Sequence, residues 1–440
     1  MEVAFFRAAP TKRPWSWKAL LLILMFVALF VVDGKEGSSE FNANSSGLGK
    51  YNSTHPWSRR SRKLSMIHKH LRKINKPAIK SIQSPDGDII DCIHLHKQPA
   101  FDHPLLKNHK VKDLPERPSR FPGRVNGTNF SSVHPAQTWH LSGYCPEGTI
   151  PVRRTTEEDL MRAESPQKYG RKSHVSKRFS QKPDVINGNG HEHAIAYVEG
   201  DEYYGAKATI NVWSPKIETM GEFSLSQIWV LSGSFDGWDL NSIEAGWQVS
   251  PELYGDSRPR LFTYWTTDSY KETGCYNLLC SGFVQTNNKI AIGAAISPVS
   301  KFSSTQYDIT MLIWKDPKQG NWWMEFADST LVGYWPSELF SHLADHASMV
   351  EWGGEVVNSE PGGKHTSTQM GSGHFAEEGF GRASYFRNIE LVDADNSLRP
   401  VDAMSTLAEH TNCYNIHSTY NSDWGNHFYF GGPGSNSGCS

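Results

Sequence analysis

Apolar residues along the second half of the chain recur at every other position. Ala208, Ile210 and Val212, then Ile228 and Val230, then Ile309, Met311 and Ile313 each predict a strand with one buried face. Polar turn clusters, Ser232-Gly-Ser-Phe-Asp-Gly237 and Lys315-Asp-Pro-Lys-Gln-Gly320, separate them. Many short strands joined by polar turns predict an antiparallel two-sheet sandwich or barrel after about residue 190. In Ser242-Ile-Glu-Ala-Gly-Trp-Gln-Val249 the alternation turns Ile243, Ala245, Trp247 and Val249 one way and Glu244, Gly246 and Gln248 the other. The first face reads as core and the second as a lined cleft.

The first half has a different texture. Ala19 to Val32 is an unbroken run of 14 apolar residues behind a basic start, short for a membrane span of about 20 residues. It predicts a signal peptide over residues 1–34, with a retained signal anchor as the alternative. Residues 35–62 read as a flexible leader, and four Asn-x-Ser/Thr acceptors, at Asn44, Asn52, Asn126 and Asn129, suit a secretory route and an extracellular protein. Leu64, Ile67, Leu71 and Ile74 recur at helical spacing and stop before Asn75-Lys-Pro77, which predicts a helix of about three turns. Thr155-Thr-Glu-Glu158 carries a capping-box pattern that starts another. From about 165 to 185 the chain turns into Pro, Ser, Lys, Arg and Gln, with dibasic Arg171-Lys172 and Lys177-Arg178. That stretch predicts a linker, solvated or open to processing, between a region 63–185 and a domain 186–440.

Charge sharpens this division. Residues 191–440 hold 13 Lys and Arg against 30 Asp and Glu, a net of −17, whereas residues 35–190 carry a net of +13. A basic stretch alone would fit nucleic acid or anionic lipid, but no nucleic-acid motif accompanies it. The six cysteines form an even set with 15 conceivable pairings. None makes a Cys-x-x-Cys metal knuckle.

Candidate chemistry centres on carboxylates. Glu244 lies beside Gly246, and Glu351-Trp-Gly-Gly-Glu-Val356 offers Glu351 and Glu355 at the same strand parity. A glycine next to a strand carboxylate leaves room for a substrate backbone, and the glycine pair before Glu355 favours that residue as the second carboxylate. Gln227 is a candidate hydrogen-bonding neighbour. Two carboxylates held close cannot both ionise, so one retains a proton; the ionised member can activate water and the protonated one can support an oxyanion. Such chemistry calls for no metal or other cofactor and works best in acid. His191-Glu-His193 could turn two imidazoles to one side, but no third ligand has diagnostic spacing. Gly371-Ser-Gly373 lacks the context of a dinucleotide loop, Gly233-Ser-Phe-Asp-Gly237 is not a nucleophile elbow, and Asp86-Gly-Asp88 with Asp91 reads better as a polar turn than as a calcium site.

Around the two glutamate segments lie Gln227-Ile-Trp229, Phe262-Thr-Tyr-Trp265, Trp314, Trp322-Trp323 and Gly333-Tyr-Trp-Pro336. With these, residues 190 to 440 resemble the catalytic domain of the neprosin family, plant glutamic endopeptidases that cleave after proline. Upstream, Lys76 to Cys92, Gln98 to Asn108, Trp139-His140 and Cys145-Pro-Glu-Gly-Thr-Ile-Pro-Val-Arg-Arg154 look like the family's activation peptide. The resemblance implies an all-β, two-sheet antiparallel sandwich behind a small mixed α+β pro-segment, catalysis by Glu244 and Glu355, and disulfides Cys275–Cys280 and Cys413–Cys439. Cys92 and Cys145 are left to pair with each other. The implied partners are a proline-containing polypeptide substrate and the chain's own pro-segment as inhibitor. A catalytically silent sandwich that binds wall polysaccharide or protein through an aromatic face is the rival expectation. The charge division adds one more: attraction between basic segment and acidic domain should hold the enzyme latent near neutrality, and acid or salt should loosen it.

Overall fold

The computed structural model describes residues 56–120, 136–172, 190–234, 236–327 and 330–440. The predicted signal segment, the leader up to residue 55, all four glycosylation acceptors and Lys177-Arg178 lie outside them. Pro56–Ser440 forms one compact unit.

Alternation becomes two stacked antiparallel sheets, as the periodicity predicts. A six-stranded sheet runs, edge to edge, Arg260–Thr266, Asn241–Val249, Ser224–Ser232, Ala347–Val357, His191–Tyr203 and Ser405–Ala408. A ten-stranded sheet built around Gly205–Asn211, Asp308–Lys315, Trp322–Phe326 and Ser384–Val392 faces it. Ile228, Val230, Ala245 and Trp247 from the first meet Ile210, Ile309, Met311 and Trp322 from the second in the central core. Each such aliphatic side chain contributes about 1.5–3 kcal/mol on burial. Trp247 also satisfies its indole N–H on Asn211 O of the facing sheet at 2.9 Å. Trp229, Trp314, Trp323, Trp335 and Trp352 are buried as well, whereas Trp238 is 45% exposed.

The pro-segment is small and mixed. Its helix spans Pro56–Ile74, longer than the spacing alone predicts. Ala78–Gln83, Ile89–His94 and Thr149–Arg153 make a three-stranded antiparallel sheet, stapled by Cys92–Cys145. The second helix, Glu157–Arg162, does have a capping box, but one residue later than the sequence pattern: Thr156 caps Asp159 N and Asp159 returns to Thr156 N. The Asp86 segment is the polar turn: Asp88 is claimed by Arg153 and Arg260, and Asp91 by Arg154. Cys275–Cys280 and Cys413–Cys439 are also closed.

Docking of the pro-segment is mostly apolar and by strand pairing. Ile67 and Leu160 complete a second hydrophobic cluster with Ile195, Leu225, Trp229, Phe262 and Tyr264, on the face of the six-stranded sheet turned away from the core. Ser119–Arg120 adds in parallel to Ser397–Pro400, and Ala136–Gln137 pairs with Ile296–Ser297. Gln98 behaves like a strand residue, donating to Gln285 O at 3.0 Å and accepting from Gln285 N at 2.8 Å. Ion pairs cross the boundary in both senses. Arg117 grips Glu325 through two bonds of 2.8 and 3.0 Å, whereas Arg260 of the domain holds Asp88 of the segment at 2.5 Å. Net charge alone therefore does not describe the contact.

Candidate active site

Strand register decides which side chains share the covered face. One transverse row runs Tyr264, Glu244, Trp229, Glu351, Tyr197 across five strands. The next row on that face is Phe262, Gly246, Gln227, Gly353, Ile195, and the one beyond is Arg260, Gln248, Leu225, Glu355, His193. Glu244 and Glu351 thus flank Trp229, two strand spacings or about 10 Å apart at Cα. A pair of glutamate side chains with a water between them can close that span. Glu355 stands four residues further along its strand, a rise of about 13 Å.

The glycines serve the sheet before they serve a substrate. A Cβ on Gly246 would lie 2.0 Å from Ser226 O, and one on Gly353 would lie 2.3 Å from Ala194 O. Close approach of neighbouring strand backbones, not a substrate backbone, requires them. Their second effect is local: they stand on either side of Gln227, so no side chain rises beside it in its row. The glycine pair therefore does not by itself separate Glu355 from Glu351.

Glu244 is fully buried and heavily solvated by protein. Ser242 Oγ and Tyr270 OH donate to Oε1 at 2.9 and 2.8 Å. Gln227 Nε2 donates to Oε2 at 3.2 Å, as the sequence suggested for this neighbour, and Lys172 Nζ reaches the same oxygen at 2.8 Å. Lys172 arrives from the end of the pro-segment, with its backbone N–H donated to Tyr264 OH at 3.2 Å. Its ammonium lies 5.1 and 4.7 Å from the ring centres of Tyr264 and Tyr270. Burial works against the charge, but attraction to Glu244 and Glu355 wins and holds the lysine well above its ordinary value. The dibasic pair is therefore split: Arg171 is exposed while Lys172, with a side chain only 12% exposed, is inserted.

Glu355 has its own partners. His191 Nδ1 hydrogen-bonds Oε1, and His193 Nε2 lies 4.0 Å from it. His193 is oriented in turn by Glu409, which takes its Nδ1 at 2.8 Å and its backbone N–H at 2.6 Å. Burial pushes the Glu355 carboxyl up, but the Lys172 charge, the His191 bond and the two imidazoles outweigh it and bring it down to about 2. The alternation that turns His191 and His193 the same way is correct, and a carboxylate occupies the place considered for a metal. Glu351 is fully buried.

Two contributors escape the sequence. Lys172 reads as half of a dibasic pair, solvated or open to processing, and nothing nearby marks it for insertion. Tyr270 does carry a signal in the backbone: Ser269 and Tyr270 both sit at positive φ, 56° and 63°, a conformation that costs a non-glycine residue roughly 1–2 kcal/mol. That strained turn delivers the phenol to Glu244.

Buried glutamates on one face of a two-sheet sandwich, under a basic N-terminal segment, fit a peptidase of the glutamic type with an activation segment. The family model described as Neprosin matches residues 220–433, and that described as Neprosin activation peptide matches residues 81–197. The chain belongs to the neprosin family of glutamic peptidases and carries its activation peptide. Among solved structures it is similar to Scytalido-glutamic peptidase with a peptide-based transition state analog, at 11% identity and a TM-score of 0.29, over 55% of this chain and 97% of that one. It is also similar to SCP-B, a member of the Eqolisin family of peptidases in complex with the tripeptide Ala-Ile-His, at 10% identity and TM-score 0.29, over 55% of this chain and 97% of that one. Likenesses this distant bear no weight for mechanism.

Proposed function

We propose that this protein is a secreted, initially latent glutamic endopeptidase that hydrolyses peptide bonds after proline, with Glu244 and Glu351 as the catalytic carboxylates. The observation that carries this is the shared row: two buried glutamates on either side of Trp229, on the face that the pro-segment covers together with Tyr254, Tyr270 and Tyr276 of the domain's own loops. Once the segment leaves, water enters the row. One carboxylate, ionised, takes a proton from the attacking water; the other, protonated, donates to the developing oxyanion and then passes its proton to the leaving amine. Gln227, Ser242 and Tyr270 orient Glu244 by donating to it. Glu355, held low in the closed form by the Lys172 charge first and by its bond to His191 second, lies outside the row, and its place is electrostatic support.

Latency in this reading is a charge substitution. Lys172 supplies, from the pro-segment, the positive partner that Glu244 would otherwise find in a proton. Cleavage after proline and export rest on the family resemblance and on the signal-like start. The test is to incubate purified full-length protein in acid with a proline-containing peptide and identify products by mass spectrometry. Cuts after proline are expected, with kcat/KM reduced about 10²–10⁴-fold in Glu244→Gln and in Glu351→Gln and less than tenfold in Glu355→Gln. A silent Glu351→Gln beside a dead Glu355→Gln would return the second carboxylate to Glu355.

A further inference from the structure

Between His191 and His193, alternation turns Glu192 to the opposite side of the strand, away from Glu355. There it meets two histidines from separate loops. His365 Nε2 lies 3.1 and 3.3 Å from Glu192 Oε1 and Oε2, and His410 Nδ1 lies 2.9 Å from Oε2. One donor atom from each of the three residues falls within 4.8 Å of the others.

The surroundings prepare these atoms for a cation. Thr366 O is 2.8 Å from His365 Nδ1. A carbonyl only accepts, so Nδ1 carries hydrogen, and in the neutral ring Nε2 presents its lone pair to Glu192. A carboxylate also only accepts. Lone pairs meet across 3.1 Å unless something positive lies between them, either a proton or a metal ion. Asn358 Nδ2 donates to Glu192 Oε1 at 3.0 Å and fixes the carboxylate. A backbone carbonyl on the far nitrogen of one ligand and an amide on another are the outer supports that metal-binding histidines and carboxylates commonly have. Glu192 is 4% exposed and the His410 side chain 59% exposed, so two ligands are fixed in protein while the third leaves a side open to water. Cys413 and Cys439 also approach His365, but their sulfurs are joined in a disulfide and offer no thiolate.

We propose that Glu192, His365 and His410 form a zinc site, with water as fourth ligand, that ties the first strand of the catalytic domain to the two loops beside its C-terminal hairpin. The ligand set of two imidazoles and one carboxylate suits Zn²⁺. Tetrahedral ligands at about 2.0–2.1 Å from zinc stand about 3.3 Å apart, so the histidine–carboxylate separations require movements of only a few tenths of an ångström, and the two imidazoles, within 4.8 Å of each other, need to close by at most about 1.5 Å. Glu192 is separated from the catalytic row by the sheet itself, so the metal takes no part in peptide hydrolysis.

Co²⁺ titrated into chelator-treated full-length protein at pH 7.5 tests this by its visible spectrum. The expected result is a saturable set of tetrahedral bands, bleached by Zn²⁺, with affinity lowered at least about a hundredfold in His365→Gln and in His410→Gln, since even outer-shell losses cost 10–100-fold. His342→Gln, on a distant loop, should leave the titration unchanged. Should His365→Gln fail to fold by circular dichroism, His410→Gln decides, because its side chain is largely in solvent. Bands that persist unaltered in His410→Gln, or the absence of tetrahedral bands from the folded wild-type protein, would overturn the site.

Discussion

The two faces of the six-stranded sheet are almost equally dry, yet they are dried by different things. On one, Ile228, Ala245 and Trp247 pack against the second sheet of the same domain. On the other, Trp229, Leu225 and Tyr264 pack against Ile67 and Leu160 of the pro-segment. The first burial lies within one domain, and the second is the one that the proposed activation withdraws. Polar groups follow the division in the middle of the sheet: the core face there carries apolar side chains, with Glu192 at the start of its strand as the charged exception, while Glu244, Glu351, Glu355 and Gln227 all lie on the face that the pro-segment caps. Buried charge is tolerable there because the cover brings Lys172 with it.

Substitutions on the two faces should part company. Trp247→Ala should cost about 3–5 kcal/mol and lower the melting temperature of latent and mature protein alike. Ile67→Ala, about 2–5 kcal/mol by the same cavity argument, should weaken only the latent form and leave the melting curve of the mature enzyme untouched. Calorimetry on both forms of both variants reads this directly; an equal effect of Ile67→Ala on the mature enzyme would break the comparison.

Lys172→Met keeps the stem and removes the charge. Loss of one member of a buried pair costs about 3–5 kcal/mol. The lower end, about 3 kcal/mol, is expected here because Glu244 keeps three neutral donors. Full-length Lys172→Met should therefore show peptidase activity at a pH where wild type is silent, without prior cleavage of the chain. Intact latency of this variant would place the inhibition in the apolar cover alone.

Acid should act through the carboxylates. Glu355 is held at about 2 against about 4.3 for a free glutamate. A depressed carboxylate contributes stability above the unfolded value and loses it as pH falls toward the folded one, so the window runs from about 4.3 down to about 2. Lys172, shifted upward, keeps its contribution throughout that range and loses it only in alkali. The melting temperature of the latent form should fall from pH 5 to pH 2.5, and Glu355→Gln should flatten that fall; a parallel slope in the variant would assign acid loosening to other groups. Last and smallest, Arg117→Ala removes a pair whose arginine is partly in solvent. Its expected effect on segment release is under about 1 kcal/mol, sharpened by low salt and measured as a shift in the midpoint of acid activation. A shift as large as that of Lys172→Met would mean that general charge attraction holds the segment after all.

Period and turn chemistry made the sandwich legible, since a period of two with one apolar face admits little else. Glu244 could be assigned to a cleft for the same reason. The choice between Glu351 and Glu355 could not be made that way: residues four apart in a strand share a face, and only the partner strands reveal which of them lies opposite Trp229. That register is a long-range property, written in the pairing of Ser224–Ser232 with both neighbours. Lys172 was hidden for a related reason. An exposed lysine and an inserted one have the same local sequence, and what inserts it is the docking of Tyr169 and Gly170 nearby, where Tyr169 OH bonds Leu253 O and Gly170 O accepts Tyr276 N. The zinc ligands come from three distant segments and have no motif spacing at all.

Ser119–Arg120 of the pro-segment lies in parallel along Ser397–Pro400. Maturation would strip this border from the larger sheet and leave a run of peptide N–H and C=O groups without neighbours, the template on which strands of separate molecules join. The run is short, and it ends in Arg399 and Pro400, a charge and a missing donor that discourage such joining. The segment thus shields an edge for as long as it stays docked, and the enzyme freed of it should self-associate more readily than its precursor in sedimentation at matched concentration, most of all when Pro400 is replaced by threonine.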